Sequence, residues 1–142
     1  MTRALDLDGR VLRGRLRRIR ELVGAVPALG RIDPPRLVDE PVTALAAERL
    51  LTVLVELAYA CNRDVAVAVL GRPPASYPAS FDLAAEAGLI SAELAARLRP
   101  SAELRDVLVL DTDPGRVALA VPQVPALYGE YVRQATAFLA GR

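Results

Sequence analysis

Histidine, lysine and tryptophan are all absent from the 142-residue sequence, and cysteine occurs once, as Cys61. Without histidine no Ser–His–Asp or Cys–His arrangement can form, and the side chain that most readily moves protons near neutral pH is missing. Without lysine there is no Gly-x-x-x-x-Gly-Lys-Ser/Thr phosphate loop. One cysteine and no histidine leave zinc without its usual ligands, and a lone thiol excludes an intramolecular disulfide. Aromatic residues make up 4% of the chain, with Phe81 and Phe138 far apart, so no platform for stacking bases is expected. No apolar run approaches the ~20 residues that span a bilayer. The first residues, Met1 to Asp6, carry no apolar core of a secretion signal. A cytoplasmic protein without membrane contact is the expectation.

Hydrophobic residues are abundant at 53%, and with so few aromatics this describes alanine- and leucine-rich helices rather than a β-sandwich. The length suits one domain, residues 1–142, with a real core. All 18 basic residues are arginine. Arginine has GC-rich codons and lysine does not, so a GC-rich, bacterial genome is inferred, and part of the arginine excess is mutational. The net charge of +1 is unevenly spread. Residues 1–30 carry seven arginines against Asp6, Asp8 and Glu21, a balance of +4, and the remainder balances at −3.

Gly9 to Val26 has apolar residues at helical spacing, with Arg10, Arg13, Arg17 and Arg20 recurring on another face. That stripe could hold RNA or an acidic partner, electrostatically and weakly. A solvated face in an arginine-biased chain is the plainer reading. Asp6 and Asp8 read as caps of this helix, and Pro27 bars its continuation. Residues 28–40, with Gly30, Pro34 and Pro35, read as a connector.

Asp39 or Glu40 before Pro41 opens a helix that runs to Leu70 and stops at Gly71-Arg72-Pro73-Pro74. It is apolar on more than one face, which predicts packing against its own domain and against a second copy of the chain. Cys61 lies in it and reads as a small core residue. Ser80 is the expected N-cap of a short helix ending at Gly88, and Ser91 caps the next, whose dipole Glu93 complements. A kink or break is expected at Pro100. Val107 to Leu110 could pass for a short strand, but its context is helical. Asp111-Thr112-Asp113 resembles an acidic metal pair yet fits better as a cap before Pro114. Pro122 and Pro125 interrupt the last element, and Ala126 to Leu139 reads as the final helix. There are no internal repeats.

The segment Arg105-Asp106-Val107-Leu108-Val109-Leu110-Asp111-Thr112 resembles the signature of the HEPN ribonucleases, and among them the HepT-type toxins. In that family an arginine and a polar residue are followed, five positions after the arginine, by a histidine and then two further on by a tyrosine. Arg105 and Asp106 match; the histidine position is Leu110 and the tyrosine position Thr112. Tyr77 to Ile90 resembles the family's short third helix and its Gly-Leu turn, and Glu48, Arg49 and Glu56 resemble parts of its long second helix. The resemblance covers about Thr43 to Asp113.

The resemblance implies an all-α, HEPN-like bundle of about five helices, homodimeric, with no metal and no cofactor. It implies that two protomers bring arginine and histidine together to cleave RNA through its own 2′-hydroxyl. Arginine would offer a donor fork to the phosphate, and histidine would move protons. Leu110 cannot do so, and losing a general acid–base group removes about 10²- to 10⁴-fold in rate. Asp106 or Asp111 is left as the nearest base. For Arg105 itself, a salt bridge to Asp106, Asp111 or another acid stands beside phosphate binding.

The family tyrosine accepts AMP from a minimal nucleotidyltransferase antitoxin; Thr112 keeps a hydroxyl of much higher pKa, and Tyr128 and Tyr131 do not match its position. The expected function is therefore that of a HepT-like toxin–antitoxin component with a degenerate motif, acting by dimerisation and by binding a nucleotidyltransferase-type partner. The alternatives are an active metal-independent endoribonuclease with a relocated base and a structural interaction module.

Overall fold

A computed structural model describes residues 7–142, which form seven α-helices and no strand. These are α1 (Gly9–Ala25), α2 (Pro34–Asp39), α3 (Pro41–Leu70), α4 (Tyr77–Glu86), α5 (Ala92–Leu108), α6 (Pro114–Ala120) and α7 (Val124–Ala140). Five have ten residues or more, and α2 and α6 are the short additions to the expected five.

The starts of the helices follow from short polar side chains that take up orphan N–H groups. Asp8 accepts from Arg10 and Val11, Asp33 from Arg36, Ser76 from Ala79, Ser91 from Leu94 and Asp113 from Arg116. Asp6 lies outside the described residues. Two expectations need correcting here. The N-cap of α4 is Ser76, not Ser80, which sits inside the helix, fully buried. Residues 28–40 are not a plain connector: Asp33 and the pre-set backbone of Pro34 start α2 within them.

The long helix α3 opens at Glu40–Pro41 and ends where Gly71 takes φ +73, a left-handed conformation that glycine adopts without a Cβ clash. At 1.5 Å per residue its 30 residues span about 45 Å. It is the spine of the bundle. α1, α2, α4 and α5 pack along it, while α7 packs on α1 and α5. Leu51, Leu54, Val55, Ala58 and Val65 on α3 meet Leu12, Leu16 and Ile19 from α1, Phe81 from α4, Leu98 from α5 and Tyr131 from α7 in one continuous core. Cys61 is a buried member of it, as its setting predicts. Among the described residues no helix is long and apolar enough to cross a membrane.

Pro100 does not break α5, which runs unbroken from Ala92 to Leu108. Both Pro100 and Ala96, whose carbonyl loses its intrahelical partner, face solvent, where water can replace the missing N–H. Pro122 falls in a 3₁₀ turn at Val121–Gln123 that separates α6 from α7. Pro125, by contrast, does not interrupt the helix: it sits in the first turn of α7, where its missing N–H is not needed.

Candidate functional site

Arg105 lies in the last turn of α5, and three elements fix its guanidinium. From α3, the Glu56 carboxylate accepts from Nη2 at 3.2 Å; from its own helix, Asp106 accepts from Nη1 at 3.3 Å. From the start of α4, the ring of Tyr77 lies beneath the charge, 4.0 Å from centroid to guanidinium carbon. Tyr59 of α3 supports that ring edge-on, with centroids 4.3 Å apart. The Arg105 side chain is only 18% exposed, and its Nε is buried without a hydrogen-bond partner. Burial alone would lower the pKa of Arg105, but the hydrogen bonds it donates to Glu56 and Asp106 outweigh it and hold the pKa above the ordinary arginine value. The group is a permanent cation, with two carboxylates already on it.

Of the two acids named in advance as salt-bridge partners, Asp106 is engaged and Asp111 is not; Asp111 instead accepts from the backbone N–H of Thr112. Sequence reading did not assign Glu56, Tyr59 or Tyr77 to this site. The helix-2 resemblance singled out Glu56, and Tyr77 opened the helix-3 segment, but nothing in either spacing said that both meet Arg105. The Tyr59–Tyr77 pair does place aromatic side chains at the site, with the Tyr77 face taken up by Arg105.

Leu110 lies beyond the end of α5 in a turn, 89% exposed, next to the exposed Val109. A leucine there buries nothing against its own chain. Thr112 is exposed in the same loop. Tyr128 and Tyr131 are buried, so neither can stand in for a tyrosine at the motif.

Of the six arginines of α1, Arg10, Arg13, Arg17 and Arg20 are exposed, and none of these four pairs with a described acid. Arg15, on a different face, is the one that reaches Asp64 of α3, at 2.6 Å. Arg20 lines a shallow groove with Gly129, Val132, Arg133 and Thr136 of α7. The stripe thus belongs to the α1–α7 side of the bundle, and Arg105 to the side formed by α3, α4 and α5. Among the described residues no three acidic or thiol side chains converge as metal ligands would.

The family model for HepT-like ribonucleases matches residues 13–111. The chain belongs to that family. The match includes Arg105 to Asp111, one residue short of Thr112, and reaches back into α1, well before Thr43, where the recognisable motifs begin. The HepT-like fold is similar to that of the tri-AMPylated HEPN toxin of Shewanella oneidensis, solved in complex with MNT antitoxin. The TM-score is 0.79 at 15% identity, covering 92% of this chain and 99% of that one. At that identity the likeness is one of fold. No curated protein matches the sequence.

Proposed function

We propose that this HepT-like protein is a toxin–antitoxin component that has lost the proton-transfer group of its motif and works through dimerisation and binding of a nucleotidyltransferase-type antitoxin in the bacterial cytoplasm. The observation that carries the reading is the fate of the motif: Arg105 is held by Glu56 and Asp106, while the histidine position is an exposed leucine. An apolar side chain can neither take a proton from a 2′-hydroxyl nor give one to a leaving oxygen. The antitoxin half of the reading is supported by the partner that the structurally similar toxin carries. Dimerisation is supported by large apolar residues left exposed on the monomer: Val109 and Leu110 at the end of α5, and Val42 and Leu45 on α3. Contact with RNA is weak and electrostatic, through Arg10, Arg13, Arg17 and Arg20.

A second reading, an active endoribonuclease with a relocated base, has one observation in its favour. The half-exposed Glu56 carboxylate stands 3.2 Å from Arg105, so a base and a phosphate-binding cation are adjacent. The test is cleavage of a mixed RNA panel, with a chelator present, by the wild type, Arg105→Ala and Leu110→His. Inactive wild type with activity gained in Leu110→His is the expected result. Wild-type cleavage that disappears in Arg105→Ala would overturn it in favour of the second reading. In the same preparations, co-purification with a short nucleotidyltransferase encoded beside this gene is expected; a chain that ignores such a partner would instead be a structural module.

A further inference from the structure

Pro100, which the family motif does not explain, lines a cleft between α5, α6 and α7. Pro100 itself, with Ser101 and Leu104 of α5, forms one wall of a cleft of about 180 Å³; Ala120, Gln123 and Val124, from the 3₁₀ turn between α6 and α7 and its flanks, form the other. Leu51 of α3 and Tyr128 of α7 also line it, and the lining is mainly apolar. A cavity of about 150 Å³ lined by aliphatic and aromatic side chains takes a benzene ring. This cleft therefore holds one ring or one branched alkyl group, rather than a length of peptide.

Its polar groups are few and placed. Ser101 Oγ and Tyr128 Oη are hydrogen-bonded at 2.7 Å. Gln123 is tied to the carbonyl of Leu119. Two cations stand in the lining, Arg97 from α5 and Arg116 from α6. Arg97 has no ion pair with a described residue, and Arg116 reaches only its own helix cap, Asp113, at 3.8 Å. Leu119, 70% exposed, adds apolar surface beside them.

We propose that this cleft between α5, α6 and α7 binds a small amphiphilic carboxylate, with an aryl or short alkyl group between Pro100, Leu119 and Ala120, over a buried floor of Leu51, Leu104 and Val124, and the carboxylate toward Arg97 and Arg116. Apolar lining with two guanidiniums selects an apolar anion over a neutral molecule. A singly charged carboxylate suits it better than a phosphate dianion, because the lining cannot replace the heavier hydration of the latter. The site uses no residue of the Arg105 cluster and does not rest on the toxin–antitoxin reading.

The experiment is an amide-detected NMR titration of the full chain with 4-phenylbutyrate and, separately, with its neutral amide. Saturable shifts centred on Ser101, Ala120 and Gln123 are expected for the acid, with the amide binding more weakly. Arg97→Gln and Arg116→Gln should each weaken binding by about threefold to tenfold, and Ala120→Phe, which fills the cleft, should abolish it. Arg97 is exposed, so its variant stays folded and keeps the test valid if Ala120→Phe does not fold. No saturation at millimolar ligand, shifts centred elsewhere, or an amide that binds as tightly as the acid would each overturn the proposal.

Discussion

Tyr131 of α7 donates its buried hydroxyl to Oδ1 of Asn62 on α3 at 2.7 Å, 69 residues away in sequence. The same hydroxyl reaches the carbonyl of Ala58 at 3.2 Å. Asn62 in turn donates to Ser80 Oγ at 3.1 Å, and Ser80 to the carbonyl of Tyr77 at 2.7 Å. Tyr77 is the residue whose ring carries Arg105. One chain of hydrogen bonds thus runs from the core to the floor of the candidate site, joining α7, α3 and α4. Satisfied polar chains of this kind fix one packing, whereas a broken one leaves a costly orphan.

Tyr131→Phe leaves Asn62 Oδ1 buried without a donor and should destabilise the fold by about 1–3 kcal/mol in urea denaturation. Asn62→Leu in the same background should recover part of that loss, because both ends of the bond are then gone. A Tyr131→Phe protein as stable as the wild type would show that the bond does not form in solution.

The Arg105–Tyr77 contact is expected to couple the two residues energetically, although the arginine already has two carboxylates. A double-mutant cycle with Arg105→Ala and Tyr77→Ala should give a coupling of about 0.5–1 kcal/mol, the range of a cation over a partly exposed ring. Additive single-mutant effects would mean that Glu56 and Asp106 alone hold the guanidinium.

Much of this architecture was legible in the sequence because the signals are local. The span of α3 from Pro41 to Leu70, the cap at Ser91 and the stops at Gly71 and Gly88 each depend on residues within a turn of the feature they create. The misassignment of the α4 cap has the same origin: Ser76 and Ser80 are one turn apart and both suit the role locally. Only the burial of Ser80 against Asn62, from another helix, decides between them. The site was half legible for a related reason. Arg105 and Asp106 are neighbours in sequence, but Glu56, Tyr59 and Tyr77 reach Arg105 only through the packing of α3 and α4, which no spacing along the chain encodes.

The chain lacks histidine, the side chain that titrates between pH 5 and 8, and its deeply buried thiol and phenol groups lie on the alkaline side. Burial pushes the Cys61 thiol up to about 11 from its ordinary value of 9.0, and pushes the hydroxyls of Tyr128 and Tyr131 above the ordinary tyrosine value. In each case the folded state holds its proton more tightly than the unfolded chain does. The stabilisation is therefore complete below the unfolded pKa and is lost as pH rises through the window toward the folded one. For Cys61 this window opens at 9.0 and closes at about 11, a loss of about 3 kcal/mol. Melting temperature should hold steady from neutral pH to about 8.5 and fall beyond 9. A melting temperature that stays constant to pH 11 would contradict the burial of these groups.

Pro100 sits inside a continuous helix, where proline is intrinsically about 3 kcal/mol worse than alanine. Its ring is exposed, so replacing it removes little packing. Alanine restores the N–H that the carbonyl of Ala96 lacks. Pro100→Ala is expected to stabilise the protein by about 1–3 kcal/mol, as a higher urea midpoint at unchanged slope. The same change trims one wall of the α5–α6–α7 cleft, so the stabilised variant should bind 4-phenylbutyrate more weakly than the wild type does. A variant that is destabilised would mean that the proline ring packs more tightly at that wall than its exposure indicates.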